Sequence, residues 1–153
     1  MFAPLASIEK MKALEVLTSK LCGSFISHFG VDDVWTLYLE DYWLIAQNVI
    51  SEDETLLNQW LYQHYPLSRN AVDKEHISKC AILAAHMRKE VTSLKLDEAC
   101  SLTIEFENGS KLIIPTDVEA VDWQWCLNKS GKDPYRDYLV ACFWKGKIEI
   151  NEE

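Results

Sequence analysis

An α+β fold, with N-terminal helices packed on a mostly antiparallel C-terminal β-sheet, is predicted by three observations. Apolar residues recur at three- and four-residue spacing in stretches that all precede Glu90. After Glu90 the apolar period shortens to two. Turn-forming pairs, Asn108-Gly109 and Lys145-Gly146, separate the late alternating stretches closely enough for hairpins. Helical period early and strand period late is the pattern of segregated helices and strands.

The first helix starts near Pro4, whose missing N–H costs nothing in a first turn. Ile8, Met11, Leu14, Leu17 and Leu21 line one face of it, and Phe25 and Phe29 continue the stripe. Gly23 is one place for the helix to break, and Gly30 suits the residue just past its end. Val34 to Ala46, rich in Trp, Tyr, Leu and Ile, forms two short strands or one bent strand divided at Glu40-Asp41. Ser51 and Glu54 have the spacing of a capping box for a second helix, with Leu56, Leu57, Trp60 and Leu61 as its apolar face. Tyr65-Pro66 ends that helix, because the residue before proline avoids the helical region. Asn70 and Asp73 precede a third helix, whose apolar face is Val72, Ile77, Cys80, Leu83, Ala84 and Met87.

Val91, Leu94 and Leu96 begin the strand-rich part. Leu102, Ile104 and Phe106 then alternate with polar residues and lead through Asn108-Gly109 to Leu112 and Ile114. A two-residue loop there would set Phe106 opposite Lys111. A three-residue loop with a left-handed Gly109 sets Ile104 opposite Leu112 and Glu105 opposite Lys111, matching apolar with apolar and acid with base. Val121, Trp123, Trp125 and Leu127 are expected on one strand face, with Asp122, Gln124 and Asn128 on the other. After a turn at Ser130 to Pro134, a last hairpin about Lys145-Gly146 brings Phe143 opposite Ile148 and Ala141 opposite Ile150. The terminal acids, Glu152 and Glu153, are expected to fray.

The 153 residues suit one domain, helix-rich over 1–90 and strand-rich over 91–150, and no Gly-, Pro- or Ser-rich linker divides them. At that length roughly 70% of the unfolded surface can be buried, so neither metal nor disulfide is needed as a staple. Twenty-four acidic residues against fifteen basic ones give a net charge of −9. Such a field repels phosphate backbones and anionic lipid, so neither nucleic acid nor membrane is the expected partner, and a cationic protein is. The five cysteines are odd in number and lie far apart, outside any C-x-x-C pair. No secretory leader is visible and no apolar run approaches the ~20 residues of a membrane span. A cytoplasmic protein is the expectation.

Chemistry leaves few marks. No two of His28, His64, His76 and His86 stand four apart, there is no G-x-S-x-G elbow, and five glycines form no phosphate-cradling loop. Carboxylate pairs such as Asp32-Asp33 are expected by chance on so acidic a chain, and no calcium-loop spacing organises them. The chain is therefore expected to be non-enzymatic, without metal or cofactor. Six Trp and six Tyr fill core positions for the most part, and one or two can serve as interface anchors. Trp43 and Trp144 fall opposite their local apolar rows and are the expected exposed pair.

The stretches Lys89–Leu96 and Ser101–Leu112, followed by Asp122-Trp123-Gln124, resemble a bacterial family of small domains. That family includes immunity-type proteins found beside polymorphic toxins and contact-dependent growth-inhibition systems. The helical first half carries no motif of this kind. The resemblance implies a cytosolic protein that blocks one cognate toxin, often a nuclease, whose basic cleft an acidic inhibitor can fill. The carboxylates expected to contact a cationic toxin are Glu40, Asp41, Glu105, Glu107, Asp117, Glu119 and Asp122. The alternative is a general protein-interaction or small-ligand-binding module with aromatics along a cleft.

Overall fold

A computed structural model describes residues 5–151. The helix start at Pro4 and the fraying of Glu152 and Glu153 lie outside those residues. The fold is α+β, and every strand pair in it is antiparallel.

Helix α1 (Leu5–Leu21) buries Ala13, Leu17 and Leu21, one residue per turn, and packs against both sheets. It stops at Gly23, which takes φ +87°, a conformation that costs a Cβ-bearing residue strain. The helix thus ends at the first of the two glycines. Phe29 and Gly30, expected at the far end of the helix, belong instead to strand β1 (His28–Val31). Ile8 and Met11 are exposed, because the packed stripe is the one through Ala13 rather than theirs.

Strands β2 (Trp35–Leu39) and β3 (Tyr42–Ala46) are two strands joined by a tight turn in which Glu40 has φ +56°. They continue β1 as a meander. Helix α2 (Glu54–His64) ends at Tyr65, a 3₁₀ turn covers Pro66–Asn70, and α3 (Lys74–His86) follows. Strands β4 (Val91–Leu96), β5 (Leu102–Phe106) and β6 (Lys111–Ile114) form a small sheet of their own. Strands β7 (Trp125–Lys129), β8 (Val140–Phe143) and β9 (Lys147–Ile150) extend the early meander into a six-stranded sheet, in the order β1-β2-β3-β7-β8-β9. Reciprocal hydrogen bonds between Ile50 and Ile113, of 2.8 and 2.9 Å, tie the two sheets together. One buried cluster draws on residues from Ala13 to Ile148, so both halves of the chain build the same core.

The β5–β6 register is the expected one: Ile104 pairs with Leu112 and Glu105 with Lys111, around a left-handed Gly109. The β8–β9 register is one residue away from the expected one. Phe143 faces Lys147, Cys142 faces Ile148 and Ala141 faces Glu149, because the loop takes three residues, Trp144 to Gly146. Lys145 and Gly146 both have positive φ there.

Three expected faces also change. On α3 the buried side is Ser78, Lys79, Ile82, Leu83 and His86, while Val72 and Ala84 are exposed. Lys79 is drawn inward by bonds to Glu54 and to the carbonyl of Val49, and His86 packs on Phe106 with its Nδ1 bonded to the Ile82 carbonyl. Around β7 the expected two-sided alternation fails. Val121 is fully exposed, whereas Trp123, Gln124, Trp125, Cys126, Leu127 and Asn128 are all buried. Trp125 and Leu127 enter the main core, and Trp123 and Cys126 pack on the other side of the sheet with Ile45, Tyr138 and Ala141. Finally, α2 buries no residue completely.

Candidate interaction surface

The antiparallel registers sort the loops of the large sheet onto two ends. The β1–β2 turn, the residues after β3 and the residues before β7 share one end, since Val31 pairs with Trp35, Trp35 with Ala46 and Ala46 with Trp125. Asp32 and Asp33 occupy that β1–β2 turn, and the Asp32 carboxylate accepts the Val34 N–H at 3.1 Å. The long connection from β6 to β7, which carries Asp117, Glu119 and Asp122, arrives at the same end.

Two buried side chains hold that connection in place. The amide of Gln124 pairs with the backbone of Val118 at both of its ends: Nε2 donates to the carbonyl at 2.7 Å and Oε1 accepts the N–H at 3.0 Å. A glutamine thus imitates a strand neighbour, which is how so polar a group sits fully buried without loss. The indole of Trp123 donates to the Pro134 carbonyl at 3.0 Å and stacks against Tyr135 at 5.4 Å. Val118 lies in a notch of about 250 Å³ with Asp32, Asp33, Trp35, Gln47, Asn48, Glu75, His76 and Lys79. Asp117 and Glu119 flank Val118 and are exposed.

The charge at this end is negative and little offset. Lys79 is the basic residue of the notch, and the Glu54 carboxylate holds it at 2.9 Å. His76 stands edge-on to Trp35, with Asp73 4.0 Å away. Burial first pushes the Tyr135 phenol up, and Asp122, then the Cys126 thiol, then Asp32 and Asp33 push it further. Neighbouring carboxylates disfavour another anion among them, and a cation there would relieve all of them together. Among the described residues, no three His, Cys, Asp or Glu side chains are grouped to hold a metal ion.

The expected contact residues fall in three places. Asp117, Glu119 and Asp122 gather at the acidic end. Glu40 and Asp41 lie at the opposite end of the sheet, where the Asp41 carbonyl accepts the Ser130 N–H at 2.8 Å and Lys129 pairs with Tyr42. That end also displays Lys129, Lys132 and Arg136 around one cleft, so its charge is mixed. Glu105 lies on the small sheet between Ser93 and Lys111. Glu107 is exposed beside Glu90, whose carbonyl its N–H meets at 2.9 Å. Asp32, Asp33 and Glu75 join the acidic end through tertiary contacts that sequence spacing does not encode. The only advance signal was the Asp32-Asp33 pair itself.

The aromatic expectations divide too. Trp144 is exposed and Trp43 is half-buried against the Trp123 cluster, while Trp60, assigned to a helix's apolar face, is 56% exposed. The thiols of Cys126 and Cys142 are buried and pushed well above their ordinary range by desolvation, which leaves them neutral and poorly nucleophilic. No helix among the described residues is long and apolar enough to cross a membrane. No family model, no curated protein and no solved structure matches the chain.

Proposed function

We propose that this chain is a non-enzymatic acidic binding protein of the immunity type, which neutralises a cognate cationic toxin, a nuclease domain, by covering its active site. The observation that carries the reading is the gathering of Asp32, Asp33, Asp122 and the loop around Val118 at one end of the large sheet. The carboxylates come from separate turns, and buried Gln124 and Trp123 fix the loop that bears several of them. Such a surface is preorganised, so docking a basic cleft does not spend binding energy on ordering loops. A nuclease must hold a phosphodiester in a cationic cleft, and a rigid cluster of carboxylates offers the charges that cleft is built to accept. Tyr135, half exposed beside Asp122, supplies an aromatic anchor of the type that concentrates binding energy. The protein acts in the cytoplasm on this reading, where the toxin would meet its target.

The test uses the basic C-terminal domain of a secreted protein encoded beside this chain. Calorimetry should give nanomolar binding to the wild type. The Asp32→Lys, Asp33→Lys, Asp122→Lys triple variant should bind at least 100-fold more weakly, and nuclease activity should return in its presence. Unchanged affinity in the triple variant would remove the acidic end as the docking surface.

A further inference from the structure

Two cysteines far apart in the chain meet inside the main core. Trp125 on β7 lies directly opposite Cys142 on β8, so their side chains share the face that enters this core. The indole of the same Trp125 donates to the Cys100 carbonyl at 2.9 Å. The hairpin that follows β8 also abuts the loop before Cys100, where Gly146 lies too close to the Ala99 carbonyl to admit a Cβ. These contacts bring the Cys100 and Cys142 thiols within hydrogen-bonding reach of each other. Cys142 is wholly buried and Cys100 is 4% exposed. The other thiols stand elsewhere. Cys22 points at the Thr92 carbonyl at 3.7 Å, Cys80 belongs to α3, and Cys126 packs on the opposite face of the large sheet, 3.8 Å from the Pro134 carbonyl.

The loop between β4 and β5 holds Cys100 in this place. The Asp97 carboxylate accepts the Ala99 and Ser101 N–H groups at 3.0 and 2.8 Å, and the Asp97 carbonyl accepts the Cys100 N–H at 3.0 Å. The Thr116 hydroxyl donates to the Ala99 carbonyl at 2.8 Å. Cys100 itself takes φ +61°, a left-handed conformation that is costly for a residue with a Cβ and persists where its surroundings over-determine it. The two thiols differ in readiness. Burial raises both. Lys10 then lowers Cys100, Asp97 raises it and the hydrogen bond with Cys142 lowers it. Cys142 is instead raised further by the charge of Cys100, by that hydrogen bond and by Asp97. Cys100 therefore reaches its anion first, and the anion is the nucleophile.

We propose that Cys100 and Cys142 are an oxidation-dependent disulfide site that locks the small sheet to the large one, with hydrogen peroxide as the oxidant. The Cys100 sulfur attacks one peroxide oxygen, the O–O bond breaks, and the other oxygen leaves as water with the thiol proton. Cys100 is then a sulfenic acid. The Cys142 sulfur attacks the Cys100 sulfur, the S–O bond breaks, and the hydroxyl leaves as a second water with the Cys142 proton. Two thiols thus give up two electrons and two protons, and one peroxide takes up both. Peroxide is small enough to reach a nearly buried sulfur, but burial slows the first step, so the bond accumulates under sustained exposure. In a reducing compartment such a bond is transient and registers the oxidant. The inference does not depend on the acidic end or on any toxin.

Peptide mapping tests it. The reduced full chain is treated with hydrogen peroxide, denatured, alkylated, digested and read by mass spectrometry. The expected product is a Cys100 peptide joined to a Cys142 peptide, lighter than the two together by two hydrogens and separated by dithiothreitol. The joined chain should melt roughly 10 °C above the reduced one, because closing so long a loop restricts the unfolded state. Cys22→Ser and Cys80→Ser remove more accessible thiols and should leave the product unchanged. Cys142→Ala should stop the reaction at the Cys100 sulfenic acid, which dimedone traps. Mapping of the wild type needs no variant, so it decides even where Cys142→Ala folds poorly. Cys100 and Cys142 recovered as separately alkylated peptides, or either one joined to a different cysteine, would overturn the proposal. So would a Cys100 driven on to sulfinic acid beside an intact Cys142 thiol, or a joined chain that melts no higher than the reduced one.

Discussion

Lys79 on α3 donates to both carboxylate oxygens of Glu54 at the start of α2, at 2.9 and 3.0 Å, and to the Val49 carbonyl at 2.6 Å. Three segments are thus joined at one ammonium group that is nearly excluded from water. Glu54 also accepts the Ser51 N–H at 3.2 Å, which is the carboxylate half of the expected capping box. The Ser51 hydroxyl serves the Asp53 N–H rather than a residue inside the helix, and α2 begins later than the box implies.

Removing the ammonium strands a carboxylate that has little access to solvent. Lys79→Met is expected to lower unfolding free energy by about 3 kcal/mol in urea titration. Adding Glu54→Gln should recover about 1 kcal/mol, because the neutral amide no longer needs a cation. A single variant within 1 kcal/mol of the wild type would mean that water replaces the pair at little cost.

Gly146 has φ +81°, and a Cβ there would lie 2.8 Å from the carbonyl oxygen of Ala99. Gly109 has the same φ with open space around it. Both alanine variants incur left-handed strain of about 1–2 kcal/mol. Only Gly146→Ala must also push the β8–β9 hairpin off the Ala99 loop. Thermal scans should show a fall of roughly 3–6 °C for Gly109→Ala and about twice that for Gly146→Ala. Equal falls would show that the Ala99 contact yields without cost.

Tyr138 donates to the Glu149 carboxylate, and burial first, then that bond and charge, push its phenol up to about 12. A group whose folded value is raised stabilises the fold fully below its unfolded value and loses that contribution as pH climbs through the folded one. Stability should therefore decline between about pH 10 and about 12 on this account. The buried thiols of Cys126 and Cys142, also raised, start the decline near pH 9. Tyr138→Phe should flatten the upper part of the limb in chemical denaturation at stepped pH. A limb of unchanged slope would assign the loss to the thiols alone.

Partner binding offers a spatial control. Reversing Glu105 and Glu107 alters charges remote from the notch, on a sheet surface where Glu105 already faces Lys111. That double variant should bind a cationic domain within threefold of the wild type, whereas reversing Asp32 and Asp33 should cost at least tenfold. Association rates for the wild type should fall steeply as salt is raised. The opposite order of effects would move the docking surface to the small sheet.

How far the sequence discloses these features depends on which forces act locally. The β5–β6 register was legible because Ile104 with Leu112 and Glu105 with Lys111 satisfy core and charge together, and Asn-Gly announces the turn. The β8–β9 register was not, because Lys145 takes φ +66° and nothing in a lysine side chain advertises that conformation. β7 defeats alternation for a different reason. It is flanked by β3 and β8 and covered on both faces, so burial no longer distinguishes odd from even positions. Gln124 survives burial by bonding to the Val118 backbone at both ends of its amide, whereas Asn128 pairs only its amide nitrogen, with the Lys132 carbonyl, and leaves its Oδ1 buried without a partner. The acidic end was half visible. Asp117, Glu119 and Asp122 are close in sequence, but Asp32 and Asp33 reach them only once β2, β3 and β7 have paired.

That pairing sets a schedule for biogenesis. β3 receives β2 as soon as both have left the ribosome, yet its other edge waits for β7, from Ala46 to Trp125 along the chain. Throughout that interval the nascent polypeptide carries an open strand of Tyr42-Trp43-Leu44-Ile45-Ala46, the kind of edge that recruits other chains. A product cut short before Trp125 would keep the edge open for good, and its fate in the cell would be deposition rather than a working half-protein.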